Sequence, residues 1–179
     1  MSSSDVWGKF IVIIALVLFF LSTAFFSFAV KIVPEGKRVI IMRLGKTLGT
    51  RGPGIVTILP IIDFSMWVDL QQTYRYKYSN LLTSDSQRMS CAVTLEGKVT
   101  DPEKSVLNVP TLESALSKVI EIEIIDIARS KHSDEIVEKK GWLEDQLKDV
   151  LYRSSRSWGF EVTKLIIDDI HYTEHNETL

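Results

Sequence analysis

Cysteine is nearly missing: the chain of 179 residues has one, beside 9 glycines and 5 prolines. One thiol makes no internal disulfide and no Cys-based zinc site, which excludes a stapled secreted scaffold. There is no internal repeat, and the 25% charged fraction excludes a disordered tail or a polytopic membrane protein. Neither G-x-x-x-x-G-K-[ST] nor G-x-G-x-x-G occurs before a helix, so the glycines from Gly45 to Gly54 build no phosphate cradle. No apolar heptad follows Trp158, and no C-terminal coiled coil is expected. The net charge is small, −2, but unevenly spread. Residues 1–100 carry 11 Lys/Arg against 6 Asp/Glu, whereas residues 101–179 carry 10 against 17.

What is present begins with Phe10 to Val30, a run of 21 residues without a charge, bracketed by Lys9 and Lys31. At about 1.5 Å per residue such a helix reaches ~31 Å, the thickness of a bilayer's hydrocarbon core. The run exceeds the ~7–15 apolar residues of a signal peptide, and Lys9 alone is a weak basic prelude, so a retained anchor is expected. Lys31, Lys37, Arg38, Arg43, Lys46 and Arg51 follow the span, opposed by Glu35. The positive-inside bias then puts residues 1–9 outside and the rest of the chain in the cytoplasm, and the same charges suit anionic headgroups.

Residues 31–99 read as β structure. Val39 to Met42 is a short buried strand, and Arg51-Gly52-Pro53-Gly54 a turn. Phe64, Met66, Val68 and Leu70 alternate with polar or interfacial residues; so do Tyr74, Tyr76 and Tyr78, and then Met89 through Val99. Period-2 patterns of this length predict half-buried, mainly antiparallel strands. After Asp101-Pro102 the period changes to helical, giving expected helices at 102–107, 112–127 and 133–158, with Gly159 as a stop. A strand over 161–170 closes the fold, leaving a polar, frayed tail. The class is α+β.

Few residues suggest chemistry. His171-Tyr172-Thr173-Glu174-His175 spells the H-x-x-E-H string of inverted zinc peptidases. That site needs both histidines on one helix face and a later third ligand, and here the string follows a strand, so it reads as a chance match. Cys91 alternates inward with Met89 and Val93 and reads as a small buried hydrophobe. His132 falls in a helix-to-helix link, where it is expected to be solvated. Asn176-Glu177-Thr178 is a glycosylation string, silent if cytoplasmic. No catalytic residue, metal or cofactor is expected. Glu121, Glu123, Asp126, Glu138, Glu144, Asp145 and Asp149 form either a solvated face or a docking surface for a basic partner. An acidic lobe repels phosphate, which disfavours nucleic acid. Lys31, Lys37, Arg38 and Arg51, with Pro60, Ile61, Ile62 and Trp67, read as one surface that dips into the membrane interface. Ordinary core packing is the alternative, stronger for Phe64 and Met66 than for Trp67.

Several short strings, in order, resemble the SPFH (Band 7) superfamily of stomatins, prohibitins and flotillins. They are Val33-Pro34-Glu35-Gly36, Arg43-Leu44-Gly45, Gly52-Pro53-Gly54, Pro60 to Asp63, Val68-Asp69-Leu70, Thr83-Ser84-Asp85 and Val99 to Pro102. Glu135-Ile136, Trp158-Gly159, Val162 and Asp169-Ile170 resemble the end of that domain, so the likeness spans about residues 31–172. The resemblance implies a non-enzymatic scaffold that assembles with other SPFH-type subunits into homo- or hetero-oligomers, organises membrane microdomains and regulates a membrane protease, channel or respiratory complex. A one-to-one adaptor that forms no oligomer is the alternative. Family members commonly continue into a long helical segment, and the stretch from Ile120 to Lys131 is more acidic and apolar than usual, so whether a ring forms autonomously is left open by the resemblance.

Overall fold

The computed structural model describes residues 3–173, which divide at Val68/Asp69 into two compact units. The first opens with α1 (Ser3–Ala29), 27 residues long. Trp7–Ala29 is the one helix among the described residues long and apolar enough to cross a membrane. Its side chains from Phe10 to Phe28 stand exposed around the helix. A helix with no polar face satisfies its own backbone and needs lipid rather than water around it. Residues 3–9, expected as a separate terminus, belong to this helix. It stops at Ala29, one residue short of expectation, because Val30 pairs with Thr57 instead.

β1 (Val30–Val33) and β4 (Gly54–Thr57) form an antiparallel ribbon. β2 (Lys37–Arg43), β3 (Lys46–Arg51) and β5 (Asp63–Asp69) form a sheet in the order β3-β2-β5. Val33, Val39, Ile41, Val56 and Ile58 make the core, each contributing about 1.5–3 kcal/mol by leaving water. Gly52 lies against Val33: a Cβ there would come within 2.5 Å of Val33 Cγ1. The alternation expected on β5 is only partly realised. Val68 is buried, but Phe64 is 64% exposed rather than packed.

The second unit is an antiparallel sheet β6-β7-β8, with β6 at Gln71–Leu82, β7 at Arg88–Val99 and β8 at Phe160–Thr173. Tyr76 is opposite Val93, which is opposite Ile167, so one face collects apolar side chains from all three strands. Helices α3 (Leu112–Ser130) and α5 (Lys140–Ser155) pack against β6 and β8 respectively. The tyrosine ladder sets the α3 contact. Tyr76 Oη donates to the Glu113 carbonyl at 3.1 Å and Tyr78 Oη to the Ser117 carbonyl at 2.9 Å. Two strand residues advance about 6.8 Å and four helix residues about 6 Å, so an i, i+2 ladder can read an i, i+4 row of carbonyls. Cys91, opposite Tyr78 in the sheet, is buried, and burial pushes its thiol up to about 11, so it stays protonated.

α2 (Pro102–Leu107) starts as expected, with Asp101 accepting from the Lys104 N–H and Pro102 at the first turn. The expected helix over 133–158 is interrupted. α4 (Ser133–Glu138) ends at Lys139, which leaves helical dihedrals (φ −106°, ψ 33°), and α5 stops at Ser155 before a short 3-10 turn, Arg156–Trp158. Gly141, a poor helix former, lies just past the break. β8 exceeds its expected range at both ends. His171, Tyr172 and Thr173 continue it because Ser90, Met89 and Arg88 are there to pair.

Gly159 (φ +65°) ends the 3-10 turn, and a Cβ on it would come within 2.4 Å of the Asp101 carbonyl oxygen. Gly159→Ala should therefore cost about 1–3 kcal/mol through strain and backbone displacement. Gly141→Ala, in open helix, should stabilise by up to about 1 kcal/mol. Thermal unfolding of the detergent-extracted protein reads both, and equal effects would contradict the packing at Gly159.

Candidate membrane-facing site

The first unit carries a loop and a hairpin tip held side by side. β2 and β3 are joined by Leu44-Gly45, both at positive φ (48° and 81°), the geometry of a two-residue type I′ turn. Asn, Asp or Gly ordinarily occupies the first position, because a Cβ is strained at positive φ and only Gly avoids it, while the short polar side chains of Asn and Asp offset it by local hydrogen bonds. A leucine that is 81% exposed occupies it here. Beside it runs the 59–62 loop, where Ile62 N–H and Asp63 N–H both turn back to the Leu59 carbonyl, at 3.1 and 2.9 Å. Leu44 N–H donates to the Ile62 carbonyl at 3.4 Å, joining hairpin tip to loop. Ile61 is 87% exposed, and Leu59, Ile62 and Phe64 are exposed alongside. The two turns together present an apolar tip to the outside.

Beneath the tip lies an ion pair. Arg43 Nε and Nη2 donate to the two Asp63 carboxylate oxygens at 2.6 and 3.0 Å, and Leu59 N–H adds a third bond at 2.8 Å. The Asp63 side chain is 1% exposed, and the Arg43 guanidinium beside it holds its carboxyl down to about 2. Arg43 precedes Leu44 and Asp63 follows Ile62, so the pair locks both turns at their bases.

The tip also lies where the apolar helix ends. Ile58 N–H donates to the Ala29 carbonyl at 2.7 Å, so the loop from Leu59 to Ile62 departs from the foot of α1. The basic residues are placed less uniformly. Lys31 follows Ala29 by two residues, opposite Val56 in the ribbon. Lys37 and Arg38 begin β2, and Arg51 stands near them, beside Val39. That end of β2 is about 20 Å from Leu44 at ~3.3 Å per residue. Trp67, 44% exposed, lies four residues along β5 from Asp63. The structure thus brings Pro60, Ile61 and Ile62 to the foot of the helix with Lys31, and keeps Lys37, Arg38 and Arg51 apart. Leu44, Leu59 and the basic Lys46, opposite Arg43, complete the tip and were not foreseen as site residues. The positive φ of a Leu-Gly hairpin is not visible as periodicity.

In the second unit the acidic side chains have different tasks. Glu144 is not an open docking residue: its Oε1 accepts the Ile167 N–H of β8 at 2.9 Å. Asp149 pairs with Arg153 at 3.3 Å, and both are largely exposed. Glu121, Asp126, Glu138 and Asp145 are exposed and Glu123 is half-buried. Thr83 and Asp85 tie the β6–β7 turn to the start of α4: Ser133 Oγ donates to Asp85 Oδ2 at 2.6 Å, and Thr83 Oγ1 donates to Asp85 Oδ1. His171 is on strand β8 and exposed, while Glu174, His175 and the 176–178 glycosylation string lie outside the described residues.

The sequence pattern of the SPFH domain / Band 7 family matches residues 31–178. The chain belongs to the SPFH/Band 7 family. A stomatin homolog of Pyrococcus abyssi is 31% identical over 90% of this chain and 60% of its own length. Human stomatin-like protein 1 is 31% identical over 77% of this chain and 35% of its own, and Stomatin-3 of Caenorhabditis elegans 30% over 80% and 55%. The chain therefore spans about 60% of the first of these relatives and less of the others. Membership of this family, together with the apolar helix, supports a membrane-associated scaffold in general terms. The SPFH strings sit at joints of the fold. Arg43-Leu44-Gly45 and Asp63 form the pinned tip, Thr83-Ser84-Asp85 ties to Ser133, and Gly159 packs on Asp101.

Two tests follow from this geometry. Asp63 has a folded-state pKa below its ordinary one, so its contribution to stability is full above about pH 4 and is lost as pH falls towards 2. Asp63→Asn should lower Tm at pH 7, with the gap to the parent narrowing through that window. A gap independent of pH would contradict the pairing. Leu44→Asn should instead raise stability, by about 0.5–1 kcal/mol, because Asn tolerates the turn's positive φ. A loss of stability would show that the Leu44 side chain packs within the fold.

Proposed function

We propose that this SPFH protein is a single-pass membrane scaffold subunit whose apolar tip seats in the membrane interface. Residues 10–29 span the bilayer, with the short N-terminus outside and the domain from residue 31 onward in the cytoplasm. The observation that carries the reading is the bond from Ile58 N–H to the Ala29 carbonyl, which starts the exposed Ile61 loop where the helix ends. Each of Leu44 and Ile61 gains about 1.5–3 kcal/mol on leaving water. A strained, exposed leucine is a cost to the soluble fold that contact with lipid offsets. Lys31 and Lys46, on the same side, suit anionic headgroups at about 1 kcal/mol each near the surface.

Assembly is the second part of the proposal. Lys37, Arg38 and Arg51 stand at the end of β2 away from Leu44, roughly 20 Å from the tip at ~3.3 Å per residue and so beyond the ~8–10 Å over which charge at the tip acts. Glu121, Glu123, Asp126, Glu138, Asp145 and Asp149 form the complementary set, with Glu144 excluded by its backbone bond. A basic end meeting the acidic helices of a neighbouring SPFH domain is a head-to-side contact, which repeats around a ring if the rotation closes. The same acidic surface would receive a membrane protease, channel or respiratory complex under control of the scaffold.

Ile61→Cys carrying an environment-sensitive dye should be quenched by lipid-borne nitroxides in liposomes, and the same dye at Arg51→Cys should not. Equal quenching would overturn the membrane seating of the tip. Arg51→Glu should reduce cross-linked multimers in native membranes, with recovery on adding Glu121→Lys and Asp126→Lys. Multimers indifferent to both changes would remove these surfaces from the assembly, and an uncross-linked monomer would favour a one-to-one adaptor.

A further inference from the structure

The second unit contains a cavity of about 350 Å³ between the end of α3 and the break separating α4 from α5. Its floor is apolar: Ile127, Ile136 and Leu143 are buried there, and Trp142 forms a wall, 44% exposed. Its rim is charged and unusual for this part of the chain. Lys131 Nζ and Lys139 Nζ both donate to one carboxylate oxygen of Glu135, at 2.8 and 3.1 Å. Lys131 also lies over the Trp142 ring, 5.6 Å from its centroid. Two ammonium groups facing one carboxylate leave an excess of one positive charge at the mouth, within helices that are otherwise acidic.

We propose that this cavity binds a small aliphatic carboxylate, such as a medium-chain fatty acid. The acyl chain lies on Ile127, Ile136, Trp142 and Leu143, and the carboxylate takes donors that Lys131 and Lys139 do not spend on Glu135, beside rather than in place of its carboxylate. Each feature selects part of that description. The floor offers no polar partner, so the buried portion is hydrocarbon. The excess of a single charge matches a monoanion; an amine would add repulsion, and a phosphate monoester would bring more negative charge than the rim offsets. The volume is at the low end of ligand sites, about 300–1,000 Å³, so the occupant is short or only its end enters. A charge-assisted bond from an ammonium to a carboxylate at a half-buried rim is also stronger than its neutral equivalent. The cavity gives the scaffold a second lipid-derived ligand, bound in the domain rather than by the membrane helix.

The test uses the full chain in nanodiscs of zwitterionic lipid and a decanoate probe carrying a diazirine on its chain. Photolabelling should be saturable, should map to residues 127–143, and should be suppressed by excess decanoate but not by decylamine. Lys131→Gln with Lys139→Gln should cut labelling roughly tenfold, while Lys131→Arg with Lys139→Arg should retain it. Thermal unfolding of each variant checks the fold, and the competition experiment on the parent chain needs no variant at all. Label confined to the apolar helix, equal suppression by decylamine, or labelling unchanged in a folded glutamine variant would overturn the proposal.

Discussion

The Arg43–Asp63 pair is the constraint on which the first unit's outward face depends. An apolar tip cannot hold its own shape in water, because its side chains gain nothing from neighbours and would collapse inward. What holds it is polar and lies underneath: a carboxylate 1% exposed, receiving two guanidinium bonds and one backbone N–H. Without these partners the carboxylate would keep its charge while shielded from water, so losing one bond weakens the others. Because the partners come from the last residue of β2, the first of β5 and the loop between β4 and β5, one interaction fixes three chain segments. The apolar residues are then free to point away from the fold.

The second unit repeats the device in another setting. Asp85 accepts from Ser133 and Thr83, and its carboxyl is held near 2 chiefly by the Ser133 hydroxyl. Here the carboxylate ties a turn between two strands to the start of a helix 48 residues later. Tyr172 Oη donates to the Ser133 carbonyl at 2.9 Å, so β8 joins the same knot. In both units an aspartate at a turn, rather than a large apolar contact, decides which distant segments meet. Hydrogen bonds specify direction where dispersion does not, and a turn has little apolar area to offer.

Much of this was legible in the sequence where a single element carried the signal. Period-2 alternation located β6 and β7, and the inward set Met89, Cys91, Val93, Leu95, Gly97 and Val99 is buried as read. Asp101-Pro102 announced a helix start, and Gly159 a stop with positive φ. What was not legible depended on two segments meeting. Nothing in the local pattern says that Leu44 stands beside Ile62, or that Glu144 reaches the Ile167 N–H instead of solvent. Lys37, Arg38 and Arg51 follow the apolar helix closely in sequence, yet they stand at the end of β2 opposite the Leu44 turn, Lys37 and Arg38 as its first residues and Arg51 beside Val39. Sequence proximity is a poor guide to depth when each strand residue moves the chain by about 3.3 Å.

For the proposed membrane contact, that displacement weighs hydrophobic against electrostatic attachment. Counted by sequence, six basic residues after the helix suggest an electrostatic attachment at about 1 kcal/mol each. Counted by position, Lys37, Arg38 and Arg51 stand roughly 20 Å along the sheet from Leu44 at ~3.3 Å per residue, beyond a Debye length of about 8–10 Å from the tip. Two exposed aliphatic side chains at the tip outweigh the remaining lysines, at about 1.5–3 kcal/mol apiece. Salt screens the electrostatic part and leaves the apolar part intact. In the proposed seating, hydrophobic contact at the tip therefore outweighs charge, while Arg38 and Arg51, set back from it, are placed for the proposed contact with the acidic helices of a second SPFH domain.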